Sequence, residues 1–263
     1  MKLKTKTIWI TGASSGIGAS LAKLLSKKDC NLILSARNSE KLEAIKHACS
    51  NPEKVKVLPF DLANYNDMDA VVEKALSLFP KIDILINNGG ISQRSLIIET
   101  SIEVDKKLME VDYLGTVALS KALLPHFVAN KNGHYVVVTS LMGRFGSPYR
   151  SGYCGAKHAL HGFFDVMRME HEGDGIDVTL ICPGFVNTNV AKNALTGDGS
   201  AQNTQDDATE NGLQVDDFST KMIKAIERKK FEAYIGRKEV LGIYLKRFFP
   251  KLLHKFVLKN KVR

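Results

Sequence analysis

A chain of 263 residues with 44% hydrophobic and 25% charged side chains has an ordinary globular balance and suits one large α/β domain. No apolar run approaches the ~18 residues that a membrane-crossing helix requires, and no signal-like apolar region precedes the first predicted strand. A cytoplasmic protein is expected, with peripheral attachment at the inner face of a membrane left open. The net charge of +9 is uneven: residues 221–263 carry 14 of the 37 basic side chains and 3 of the 28 acidic ones. The remainder is therefore near neutral, and no aromatic stacking platform or base-reading motif accompanies the basic segment, so no nucleic-acid partner is expected. Cys30, Cys49, Cys154 and Cys182 form no CxxC pair and read as free thiols. The histidines His47, His126, His158 and His161 lack metal-ligand spacing, so no metal is expected.

Short apolar, β-branched runs at 7–10, 31–36, 55–60, 82–86, 135–139, 177–182 and 232–235 read as strands. Several are almost continuously apolar, as in strands buried on both faces of a parallel sheet. Helical patterns at 17–28, 67–78, 104–129 and 152–170 lie between them. This alternation predicts an α/β fold, a single-domain Rossmann-type doubly wound parallel sheet in three α/β/α layers. Trp9 is placed in the core, and Met142, Met167 and Met169 are assigned to packing.

The first strand runs into Thr11-Gly12-Ala13-Ser14-Ser15-Gly16-Ile17-Gly18, which opens a helix. Glycines there permit a tight turn and let backbone N–H groups approach a pyrophosphate at the positive helix end. The second strand ends at Ala36-Arg37, where an NAD-preferring site carries an acid for the ribose hydroxyls. A guanidinium instead suits a 2′-phosphate, which predicts NADP(H) as cofactor.

Tyr153 and Lys157 stand four apart on a predicted helix and so share one face. A phenol titrates near ~10, and an ammonium one turn away favours the phenolate. Ser140 follows an apolar strand at its carboxyl end, where its hydroxyl can hold a substrate carbonyl oxygen beside Tyr153.

Together these motifs resemble the short-chain dehydrogenase/reductase family, in its single-domain oxidoreductase branch. The resemblance runs from Lys6 to about Gly236 and adds Asp61-Leu62, Asn87-Asn88-Gly89-Gly90 and Pro183-Gly184 with Thr188. It implies a carbonyl–alcohol oxidoreductase with Tyr153 as general acid/base, Ser140 on the substrate, and Lys157 also on the nicotinamide ribose. It further implies cofactor contacts from Gly12, Ser14, Ser15, Gly16, Ile17, Gly18 and Arg37. Asp61 and Leu62 would border the adenine, and Asn88 with Gly89 the adenosine ribose. Pro183, Gly184, Val186 and Thr188 would contact the carboxamide end. Dimers or tetramers are the family habit. Two positions depart from the pattern: Gly89 replaces an alanine, and Asp112 replaces an asparagine that helps connect the lysine to solvent. A charge at Asp112 should raise the Lys157 pKa. That departure is the one support for a different reading, an NADP(H)-binding sensor with weak turnover.

Residues 193–214 are polar and poor in large apolar side chains, which predicts a mobile excursion burying little surface, placed where the family has its substrate lid. The substrate pocket is expected from 92–98, 141–150 and this segment. Residues 1–236 form the expected domain and 237–263 a basic amphipathic extension. There Leu241, Leu245, Phe248, Phe249, Leu252 and Phe256 recur at helical spacing, opposed by Arg247, Lys251, Lys255 and Lys259. Pro250 should bend or divide this helix. Such a face can lie on an anionic membrane through residues 240–263 or dock on the protein itself. Relatives with comparable tails suggest a hydrophobic, lipid- or steroid-like substrate.

Overall fold

The computed structural model describes residues 1–259. Seven strands, β1 (Thr7–Thr11), β2 (Asn31–Ser35), β3 (Val55–Val57), β4 (Ile84–Asn87), β5 (Gly133–Val138), β6 (Ile176–Pro183) and β7 (Glu232–Ile235), form one sheet. Its order is β3-β2-β1-β4-β5-β6-β7, and every neighbouring pair is parallel. The chain winds outward in opposite directions from β1 and β4, so their carboxyl ends flank the crevice where ligands collect in such sheets.

Strand alternation sorts the core into two halves. Ile8, Ile10, Leu32, Leu34, Ile84 and Ile86 pack under α1 (Gly16–Ser26), α2 (Ser39–His47) and a helix near the chain end, which supplies Phe218 and Met222. The intervening Trp9, Ile33, Leu85, Tyr135 and Val137 pack on the other side. That side is covered by α3 (Met68–Leu78), α5 (Gly115–Ala129) and α6 (Ser151–Glu170). Period-2 alternation in a doubly covered sheet gives this division directly. Trp9 is fully buried and donates its ring N–H to Ser35 Oγ at 2.9 Å. The Phe127 and Tyr135 rings meet at 4.9 Å between centroids, and truncating Phe127 would cost about 3–5 kcal/mol.

The stretch expected as one helix over 104–129 is three pieces: α4 (Ile102–Leu108), a wide π-turn (Met109–Leu114) and α5. In that turn the Gly115 N–H bonds the Glu110 carbonyl, five residues back, inserting one extra residue. Helix α2 was not expected at all; its Asn38 side chain caps it by accepting the Lys41 N–H at 2.8 Å, and only Leu42 is buried. Strand β3 stops at Val57 rather than 60, although the Leu58 and Phe60 N–H groups still bond the Leu34 and Ala36 carbonyls.

After β6 the chain makes a long excursion holding α7 (Asp207–Glu210), then forms α8 (Val215–Glu227) and β7. The 193–214 segment buries more than its composition predicts, including Ala194, Leu195, Asp206, Thr209 and Leu213. Helices α9 (Leu241–Phe248) and α10 (Pro250–Lys259) follow, divided at Pro250 as expected. The last four residues of the expected extension, 260–263, lie outside the described residues. Met169 is another difference: it is 70% exposed and packs in no core, while Met167 is buried.

Candidate active site

A continuous cleft of about 1180 Å³ opens along the carboxyl ends of the strands. At one end lies the turn after β1. Gly12 has φ +64°, and a Cβ there would sit 2.8 Å from Gly89 Cα. Only glycine serves at that point, because the backbone must curve left-handed while touching the β4 loop. The loop is locked on: the Asn88 and Gly89 N–H groups both bond Thr11 Oγ1, and Asn88 Nδ2 donates to the Thr11 carbonyl at 3.0 Å. Ser14, Ser15, Gly16 and Ile17 line the cleft at the start of α1, so the helix N-terminus faces it. Gly18 lies outside the lining; a Cβ on it would stand 2.3 Å from the Gly12 carbonyl oxygen, so it serves the packing of α1 on the turn.

Beside the turn the lining continues with Ala36, Arg37, Asp61, Leu62, Asn88 and Gly89. Lys41 joins Arg37 there, a second cation that sequence reading missed along with helix α2. Pro183 at the end of β6, with Gly184, Val186 and Thr188 after it, lines the opposite side.

In the middle stand Ser140, Tyr153 and Lys157. Ser140 lies two residues past the end of β5, is buried, and its Oγ accepts the Met142 N–H at 3.1 Å. Tyr153 and Lys157 lie one turn apart on α6, with Lys157 Nζ 5.6 Å from the Tyr153 ring centroid. Lys157 also donates to the Val138 carbonyl at 3.3 Å. Asp112 does not line the cleft. It sits behind the β4 loop on the π-turn, fully buried, with Oδ2 3.3 Å from Lys157 Nζ and Oδ1 accepting the Ile91 N–H at 2.7 Å. Gly90 leaves room for this pair, since a Cβ there would stand 3.0 Å from Asp112 Oδ1 and 3.3 Å from Lys157 Nζ.

Burial is the largest single influence on Lys157 and opposes its charge, but the Asp112 carboxylate and Tyr153 together outweigh it, and the lysine is held above its ordinary value. Burial pushes the Asp112 carboxyl up against the pull of Lys157 and the Ile91 N–H. The two directions compete, because a protonated Asp112 would give Lys157 no support. The ion-pair distance to one oxygen and the Ile91 bond to the other favour the charged pair.

A second buried cluster went unseen in the sequence. Asp206, from the 193–214 segment, accepts Arg94 Nε at 2.7 Å and Arg150 Nη2 at 3.2 Å. Burial alone would raise Asp206, yet the Arg94 hydrogen bond and the two guanidinium charges hold it below the usual carboxylate range. Both arginines line the cleft. The three partners are 112 and 56 residues apart, so no local pattern announces them.

The wall beyond Tyr153 also differs from expectation. Ser92, Arg94, Leu141, Met142, Phe145, Ser147 and Arg150 line it, but Ile97 and Ile98 are 78% and 92% exposed and do not. The C-terminal extension supplies much of the rest, through Leu245, Leu253, Phe256 and Val257. Among the described residues no group of three or more His, Cys, Asp or Glu side chains is placed to hold a metal ion. All four cysteines are buried and unpaired.

A doubly wound sheet with a glycine turn at one end of its crevice and a Tyr–Lys pair at the centre defines a nucleotide-dependent dehydrogenase class. The family model for short chain dehydrogenases matches residues 6–198. The chain is 37% identical over 268 residues to the Drosophila melanogaster protein named "Dehydrogenase/reductase SDR family protein 7-like", covering 100% of this chain and 82% of that one. It is 46% identical over 203 residues to human "Dehydrogenase/reductase SDR family member 7", covering 75% and 60%. A short chain dehydrogenase/reductase from Burkholderia phymatum, solved in complex with NAD, shares the fold with TM-score 0.83 at 20% identity, covering 100% and 98%. The chain belongs to the short-chain dehydrogenase/reductase family, whose members are oxidoreductases acting on CH–OH groups. No helix among the described residues is long and apolar enough to cross a membrane.

Proposed function

We propose that this protein interconverts a carbonyl and a secondary alcohol with NADP(H), on a hydrophobic, lipid- or steroid-like substrate, with Tyr153 as general acid/base. The observation that carries this is the Tyr153–Lys157 pair facing, beside Ser140, a cleft continuous with the glycine turn. The residues fit the cofactor. The Gly12 turn has no room for a side chain, and the amide end of α1 beside it suits a pyrophosphate. Arg37 with Lys41, and the absence of an acid at Ala36–Arg37, suit a 2′-phosphate. Asp61 and Leu62 would border the adenine, Asn88 and Gly89 the ribose, and Pro183, Gly184, Val186 and Thr188 the carboxamide.

When bound, NADP(H) supplies or accepts the hydride. Tyr153 holds the proton delivered to the carbonyl oxygen during reduction and takes it back during oxidation. Ser140 donates a hydrogen bond to the same oxygen and holds it within reach. The Lys157 ammonium, kept charged by Asp112, favours the phenolate left after transfer.

The substrate wall is apolar where Leu141, Phe145, Leu245, Leu253, Phe256 and Val257 meet, which supports a hydrophobic substrate. Segment 193–214 serves as the lid, closed by Asp206 on Arg94 and Arg150. The α9–α10 pair buries Leu253 on the protein and turns Phe248, Phe249, Leu252 and Leu258 outward, each more than half exposed, among Lys246, Arg247, Lys251 and Lys255. That outer face fits an anionic lipid surface, which would deliver apolar substrates beside the cleft.

Oxidation of NADPH and NADH is followed against a panel of aldehydes, quinones, steroid ketones and acyl-chain ketones. Turnover that prefers NADPH and selects apolar ketones is expected. Tight NADPH binding without turnover on any ketone would favour the sensor reading instead. Flotation with anionic liposomes tests the lipid surface, and absence of binding by the full chain removes it.

A further inference from the structure

We propose that Gln93 is a positioning residue that couples the 193–214 segment to Tyr153; the inference rests on the assignment of Tyr153 as general acid/base. Gln93 is fully buried and does not line the cleft, so it contacts neither substrate nor cofactor space. Helix α6 opens without a side-chain cap of its own, since Arg150 at its start provides none. A helix start leaves backbone N–H groups without partners, and burial makes that costly. Gln93 Oε1 fills the gap from a distant part of the chain, accepting the Gly152 N–H at 2.9 Å and, more weakly, the Tyr153 N–H at 3.4 Å. Its Nε2 donates to Ser95 Oγ, Thr100 Oγ1 and Ser151 Oγ at 3.0–3.3 Å. One uncharged planar group thus fixes the first turn that carries Tyr153.

The backbone at Gln93 is held by the lid segment. The Leu195 N–H bonds the Ser92 carbonyl and the Arg94 N–H bonds the Leu195 carbonyl, both at 2.8 Å. These two bonds bracket Gln93. The Leu195 side chain enters the apolar cluster of Val104, Leu108, Ile91 and Tyr153. Seating of Leu195 therefore reaches Tyr153 twice, through the Gln93 amide and through side-chain packing. Displacement of Leu195 releases the 92–94 segment that presents the cap.

Gln93→Met keeps the volume and removes both the acceptor and the donor; Gln93→Glu keeps the acceptor and adds a charge. In Gln93→Met, kcat should fall roughly 10- to 100-fold, because small misplacements of a reacting group are costly. NADPH affinity, read by fluorescence, should stay unchanged, and the inflection of the kcat–pH profile should move. Gln93→Glu should recover most of kcat while shifting that inflection to higher pH, since a nearby negative charge disfavours the phenolate. Tyr153→Phe is measured alongside. Wild-type kcat and pH profile per bound NADPH in both Gln93 variants, with Tyr153→Phe inactive, would overturn the coupling, even if less folded protein is recovered. Turnover surviving in Tyr153→Phe would instead overturn the assignment on which the coupling rests.

Discussion

Asp112 Oδ2 and Lys157 Nζ stand 3.3 Å apart in a pocket of the π-turn where both side chains are nearly sealed from water. The pair lies outside the cleft lining on the Asp112 side and inside it on the Lys157 side. A carboxylate placed there reaches the cleft through the lysine and through the Ile91 N–H, which its other oxygen accepts at 2.7 Å.

Asp112→Asn removes the charge that holds Lys157 above its ordinary value and leaves burial, which acts the other way. Lys157 should then lose its proton at lower pH. The alkaline limb of the kcat–pH profile should move toward neutrality, with the acid limb less affected. Asp112→Ala, which leaves the ammonium without a buried partner, should cost on the order of 3 kcal/mol of stability, read by chemical denaturation.

Arg37 faces the cleft at the end of β2, with Lys41 near it. Loss of a charge-assisted contact with a 2′-phosphate weakens binding roughly tenfold or more. Arg37→Ala should therefore raise the NADPH dissociation constant by about that factor and leave the NADH constant nearly unchanged, as titration by fluorescence would show.

The Asp206 carboxylate holds two buried guanidinium groups. Asp206→Asn should lower stability by roughly 3 kcal/mol, because both arginines lose their counter-charge. Proteolytic cleavage within 193–214 should quicken, and KM for the carbonyl should rise more than the NADPH dissociation constant.

Acid sensitivity should come from buried histidines. Burial lowers His134 to about 4, and its ring Nε2 shares a hydrogen bond with Thr179 Oγ1 at 2.8 Å. Burial and the neighbouring Arg144 charge lower His161 to about 3. A folded value below the unfolded one near ~6.5 means that stability is complete above that pH and falls as the unfolded chain takes up protons first. Between pH 6.5 and 4.5 each ring should remove on the order of 2 kcal/mol. Denaturation midpoints should decline over that window, and His134→Gln should flatten the decline.

Much of this was legible in the sequence for a physical reason. Strands buried on both faces must be apolar nearly throughout, so β1, β2, β5 and β6 stand out, and the glycine turn is compelled by backbone contact with Gly89. The π-turn was hidden because Val104, Leu108, Val111, Gly115 and Leu119 keep an apparently unbroken helical spacing of buried positions across the extra residue. Helix α2 was hidden because it buries one residue and so has no apolar stripe to read. The Asp206 cluster and the Gln93 cap join segments far apart in the chain, and only the fold brings them together. In the tail the spacing showed the helices and the break at Pro250, but not that Leu253 and Phe256 would face the cleft.

The most direct measurement is turnover of a carbonyl substrate by Tyr153→Phe that still binds NADPH. Loss of roughly 10²–10⁴-fold in kcat with cofactor affinity retained is the predicted result, the range expected when a positioned proton donor is removed. Turnover close to wild type in that variant would contradict Tyr153 as the acid/base and require another group at the cleft to carry the proton.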